Sequence, residues 1–163
     1  MNQISPVLEH REHDHGACER QAIRHAEAIS RREGLRFTDQ RRQVLKALLE
    51  SHVPASAYDV IDRIASTGKR LAPISVYRAL DFLTAHNFAH RIESKNAYVA
   101  CDRGVECEPG ATLFLICDNC GAAGEAASDA LGALVSAETT VRDFLPRLRV
   151  LEVRGLCARC RAA

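Results

Sequence analysis

Along the first hundred positions, apolar residues recur at helical spacing in stretches separated by glycine, proline and small polar residues. Ala22, Ile23, Ala26 and Ile29 fall near one face of "CERQAIRHAEAISRR", which predicts a helix from about Cys18 to Arg32 with Gly34 as its stop. Thr38 is placed to cap "TDQRRQVLKALLE", where Val44, Leu45, Leu48 and Leu49 make one stripe. Ser56 similarly precedes "AYDVIDRIAST", which ends near Gly68. Pro73 opens the next helix at a first-turn position, where its missing N–H does no harm. There Val76, Leu80 and Leu83 lie within about 60° of one another, at roughly 100° per residue. Ile74, Arg78, Asp81 and Ala85 lie on the opposite side and Ser75 on the flank. The period then changes: two short β segments, about Phe88–Ile92 and Ala97–Ala100, flank the turn "ESKN".

Helices followed by a β-hairpin read as a winged helix-turn-helix over residues 18–101, preceded by a polar tail at 1–17. Residues 102–110 of "CDRGVECEPG" are rich in glycine, proline and acid, as expected of a hinge. Beyond them, "ATLFLIC" predicts a strand, a helix follows from about Ser128 to Glu138, and a second strand lies near "RLRVLEVRGLC". The expected fold class is therefore α+β, with the winged domain followed by a small C-terminal α/β domain at 111–163. Some fifty residues are too few to be comfortable without a staple or a partner.

The formal net charge of +1 hides a strong segregation. Residues 20–100 hold fourteen Lys/Arg against eight Asp/Glu, whereas residues 101–163 hold seven against nine. Basic charge confined to the winged half fits contact with nucleic acid. No apolar run approaches eighteen residues and no signal core follows Met1, so a cytoplasmic protein with no membrane association is expected. Seven cysteines in a reducing compartment favour metal over disulfides.

Cys117-Asp-Asn-Cys120 and Cys157-Ala-Arg-Cys160 carry the strongest chemistry. A two-residue spacer lets both thiolates of a turn point at one ion, and two such turns complete a tetrahedral Zn²⁺ site. Four thiolates leave no open position, which makes the ion structural rather than catalytic. A redox CxxC would stand once beside a thioredoxin-like pattern, and none is present. There is no HExxH, no Cys/His nucleophile pair and no glycine-rich phosphate loop, so no enzyme is expected.

Taken in order, "FTDQRRQVLKALLE", "SAYDVIDRI", "SVYRALDFL", "HRIESKNAYVAC" and "CDNCGAAGE…CARC" resemble the ferric uptake regulator family, most closely its zinc uptake regulator branch, over about residues 20–162. The resemblance implies a dimeric, metal-dependent transcriptional repressor with a structural zinc in the dimerisation domain. It also implies at least one regulatory zinc beside the hinge. By motif, His90, Cys101 and Glu125 match sensing ligands. Imidazole, thiolate and carboxylate together suit Zn²⁺, while an oxygen- and histidine-rich shell would suit Fe²⁺. The branch usually supplies a histidine near the position of Gly110. This chain has none there, and Cys107 is the expected fourth ligand, with Glu106, Glu108, Asp102 or water as alternatives.

The expected partner is double-stranded DNA with a palindromic operator, read by a homodimer. Arg78 points away from the core stripe and can grip guanine O6 and N7. Ser75 and Tyr77 flank it, and Tyr58 begins the preceding helix. Arg41, Arg42, Lys69, Arg70 and Lys95 are expected phosphate contacts. His10, His13, His15 and Cys18 form either a chance tract in the tail or an auxiliary zinc site. An iron or peroxide sensor of the same superfamily is the nearest alternative. A zinc-ribbon interaction module comes next, and it leaves Arg78 without a role.

Overall fold

The computed structural model describes residues 15–101, 112–146 and 150–162. These form two compact units, the first holding residues 15–101 and the second the remainder. Most of the expected tail and the whole 102–110 hinge lie outside the described residues.

The first unit opens with α1 (His15–Arg32), which starts three residues before the position expected from its apolar stripe. It stops where Gly34 takes a φ of +67°, and the Leu35 N–H closes onto the Ser30 carbonyl at 2.7 Å. The Thr38 hydroxyl caps α2 (Asp39–Leu49) by accepting the Arg41 N–H. Ser56 and Asp59 form a reciprocal capping box on α3 (Ala57–Ser66), with bonds of 3.2 and 2.8 Å. Pro73 occupies the first turn of α4 (Pro73–Ala85). The three predicted stripes meet in one core: Val44, Leu45 and Leu48 from α2, Val60 and Ile64 from α3, and Val76, Leu80 and Leu83 from α4. Ile23 and Ala26 of α1 cover it, and ion pairs from Glu19 to Lys46 (2.8 Å) and from Glu27 to Arg42 tie α1 to α2.

The hairpin joins β1 (Ala89–Ile92) to β2 (Ala97–Ala100) through a 3₁₀ turn and Asn96 in the left-handed region. Its antiparallel register sets His90 opposite Val99. A pairing with no clear sequence signal docks it: Ala55 exchanges two 2.8 Å hydrogen bonds with Tyr98, fastening the loop before α3 to the wing.

In the second unit, β3 (Thr112–Cys117) is central, with β4 (Ala123–Ala127) antiparallel on one side and β5 (Val150–Gly155) parallel on the other. The helix α5 (Asp129–Val141), capped by Ser128, runs three residues past the expected end, and a short α6 (Ala158–Ala162) follows β5. The sequence "AGEAA" of β4 gave no strand signal because alanine, glycine and glutamate are weak β formers. Pairing with β3 makes the strand. The α+β class is as expected. No helix among the described residues is long and apolar enough to cross a membrane.

Candidate metal centre and nucleic-acid interface

The parallel pairing of β3 and β5 brings the two CxxC turns together, because both strands end at the same edge of the sheet. The four sulfurs of Cys117, Cys120, Cys157 and Cys160 all lie within 4.8 Å of one another. Cys120 and Cys157 Sγ are 4.0 Å apart. A tetrahedral ion with bonds of about 2.3 Å requires sulfurs about 3.8 Å apart, so the donor set fits Zn²⁺. Gly121, at φ +75°, turns the first knuckle, and its N–H returns to the Cys117 carbonyl at 3.0 Å. The Cys157 N–H points at Cys117 Sγ from 3.4 Å. Backbone N–H groups of Cys157, Cys120 and Asn119 hold the Cys117 thiol down at about 6, favouring the thiolate a metal needs. The Asn119 side chain favours the thiolate of Cys160, but hydrogen bonding with the neighbouring sulfurs together with burial outweighs it and pushes that thiol up to about 11. A cation among the four would remove this imbalance by favouring every thiolate at once.

A further brace stands beside the cluster. Arg154 of β5 grips Asp118, the residue after Cys117, through Nε at 2.9 Å and Nη2 at 2.8 Å. The Asp118 N–H also bonds to the Gly155 carbonyl at 2.8 Å. Sequence offered two opposite charges and no register, so this pair was not foreseen.

In the first unit, the register Ala89 opposite Ala100 puts His90 and Cys101 on the same face of the hairpin. A ring nitrogen of His90 and the Cys101 sulfur lie within 4.8 Å. Both side chains are half-buried. The pair is thus a two-donor corner within the winged unit. Glu125 stands in the second unit on β4, opposite Phe114 and half-buried. Cys107, His10 and His13 lie outside the described residues, and Cys18 is exposed on α1.

The expected DNA-facing residues lie on two helices that pack on each other. Arg78 and Tyr77 are exposed on α4, Ser75 is half-exposed beside them, and Tyr58, in the first turn of α3, is 70% exposed. Lys69 and Arg70 are exposed between these helices and Lys95 at the wing tip. Two of the expected phosphate contacts also have partners within the unit. Arg42 is ion-paired with Glu27, and Arg41 stacks over the Phe82 ring at 3.5 Å while donating to the Arg36 carbonyl. Both are half-exposed and brace the unit through these neighbours.

The sequence matches the ferric uptake regulator family over residues 32–145, some two thirds of the chain. The chain belongs to that family. The Escherichia coli (strain K12) zinc uptake regulation protein is 36% identical over 135 residues, covering 83% of this chain and 78% of that protein. Among solved structures, a zinc uptake regulator complexed with zinc and DNA superposes with a TM-score of 0.82 at 33% identity, covering 88% of this chain and 95% of that one. The holo form of XcZur gives 0.78 at 38% identity, covering 86% and 97%. As a ferric uptake regulator family member, the chain has neighbours that share its winged and sheet-bearing units in the same order.

Proposed function

We propose that this protein is a zinc-responsive transcriptional repressor, cytoplasmic and not an enzyme, that binds palindromic operator DNA as a homodimer and controls zinc uptake genes. One structural zinc occupies the four-cysteine cluster. At least one regulatory zinc is held by His90, Cys101, Glu125 and Cys107. The observation that carries this reading is the position of the His90–Cys101 corner: it is built into the wing that follows α4 directly, in the unit whose Arg78 is presented to solvent. A metal drawn to that corner acts on the same rigid body that reads DNA.

The N-terminus of α4 supports the assignment of the reading helix. Helices α2, α3 and α5 each have a hydroxyl cap and an aspartate in the first turn, at Asp39, Asp59 and Asp129. Helix α4 has Ala72 at its cap, no side-chain hydrogen bond there and no acid in its first turn. Carboxylates normally stabilise this end of a helix, but they would repel a phosphate backbone. Dimerisation is supported by the second unit, where Leu134, Val141, Phe144, Leu145, Val153 and Leu156 are exposed and α5 buries none of its residues. A second copy of the same face is the occupant that twofold symmetry provides.

Zinc titration into protein loaded only at the four-cysteine cluster tests the reading, followed by fluorescence anisotropy on duplex DNA from promoters of zinc-uptake genes. Binding that appears with the second zinc equivalent and vanishes on its removal is expected. Affinity that is equal with and without that equivalent would end the proposal.

A further inference from the structure

Ile74 is 59% exposed on α4, with its side chain on the face away from the core formed by Val76, Leu80 and Leu83. Packing does not account for it. Helix formation does not either, because a β-branched residue is only a moderate helix former and the first turn prefers caps and acids. It stands one turn before Arg78 on the same face, about 6 Å along the axis at about 1.5 Å per residue. Its neighbours toward the open side are Tyr77 and Arg78, both exposed. In helix-turn-helix proteins the N-terminal residues of the reading helix reach the base edges. The apolar group that base pairs display in the major groove is the thymine C5-methyl.

We propose that Ile74 is a specificity residue: it reads the C5-methyl of a thymine lying one or two base pairs from the guanine gripped by Arg78. The inference rests on the DNA-binding reading above and deepens it. Arg78 supplies a polar, two-pronged contact, and Ile74 supplies an apolar contact that cytosine, lacking the methyl, cannot return. The same face thereby distinguishes two neighbouring positions by different chemistry.

The test uses full-length, zinc-loaded protein and a random-sequence duplex library. The enriched duplex is resynthesised with each thymine of a half-site replaced in turn by uracil, which removes only the methyl. At one position, loss of the methyl should weaken wild-type binding by about fourfold, and by about fifteenfold when both half-sites are changed, as expected for one methyl-sized group returned to water at each. Ile74→Ala and Ile74→Ser, verified by unchanged melting and zinc content, should bind the thymine and uracil duplexes equally. Ile74→Val should retain part of the difference. Wild-type affinity that is indifferent to every methyl overturns this inference alone, as does full methyl sensitivity in Ile74→Ala. A library that yields no enriched duplex overturns the DNA-binding reading and this inference with it.

Discussion

Replacing Cys157 by serine should unfold the second unit while leaving the first intact. Cys157 is buried, and its sulfur is 4.0 Å from Cys120. Among the described residues, the large apolar side chains fully buried in this unit are Phe114 and Ile116, whose transfer from water is worth together about 3–6 kcal/mol. Helix α5 contributes no buried residue to it. A structural zinc in a small thiolate site binds with about 10–16 kcal/mol, and that binding energy is folding energy. On the proposed reading, an ion in the four-cysteine cluster outweighs these two buried side chains, and losing one of its four ligands should leave the sheet without its main restraint. The first unit holds its own core of α2, α3 and α4 side chains and needs no metal to keep it. Hydrogen exchange read by mass spectrometry separates the two. Amides of β3 and β5 should exchange rapidly in Cys157→Ser, and in wild type under a strong chelator, while amides of α2 and α4 remain protected. Protein concentration must be matched, because a dimer adds stability by mass action. Equal protection of β3 in variant and wild type would refute the argument that zinc, rather than packing, holds this unit.

Four further outcomes are expected. Arg78→Ala should lower operator affinity by roughly 5- to 150-fold for each half-site, the equivalent of about 1–3 kcal/mol for each two-pronged guanine contact, and by the square of that factor for a palindrome read by both protomers, with zinc content and melting unchanged in anisotropy and thermal scans. Cys101→Ser should abolish the zinc dependence of DNA binding while the four-cysteine zinc stays bound; the same loss in Cys107→Ser, measured at buffered free zinc, would place Cys107 in the sensing site and an unchanged response would remove it. Ser56→Ala should cost about 1 kcal/mol in chemical unfolding of the first unit. Hydrogen bonds from Ser56 hold the Asp59 carboxyl below its ordinary value, so its contribution is fully present above about pH 4 and is lost as pH falls through the lowered value. The stability curves of wild type and Asp59→Asn should therefore converge in acid.

Much of the first unit was legible because its signals are local. Thr38 and Ser56 announce helix starts, Gly34 announces a stop, and the stripes of Val44, Val76 and Leu80 keep one period over several turns. All six positions do in the structure what their chemistry predicts. The second unit was less legible because pairing makes it. Strand β4 has no β-forming side chains and exists through its register with β3. The Ala55–Tyr98 pairing and the Asp118–Arg154 brace join residues 43 and 36 positions apart, and no pattern in either segment specifies the partner. The cysteine cluster was legible despite its length of chain, because the CxxC spacing encodes the half-site and two half-sites imply the whole. The neighbours of Arg41 and Arg42 were not legible, because Phe82 and Glu27 reach them from other helices.

The two donor groups differ in a way that bears on their roles. At the four-cysteine site, backbone geometry alone sets the donors: strand register aligns the two turns, Gly121 shapes one of them, and N–H groups of the turns aim at Cys117. Such a donor set is complete in itself and would hold an ion with little dependence on anything outside the unit. On the wing hairpin, His90 and Cys101 supply one imidazole and one thiolate, fewer than the four ligands of the tetrahedral shell that Zn²⁺ prefers. A tight ion there requires further ligands from residues beyond the hairpin, so its affinity depends on where those residues are. A site whose occupancy depends on arrangement must, by linkage, bias that arrangement when occupied. On the proposed function, the four-cysteine site is thus suited to hold a fold, and the hairpin pair following α4 is suited to sense.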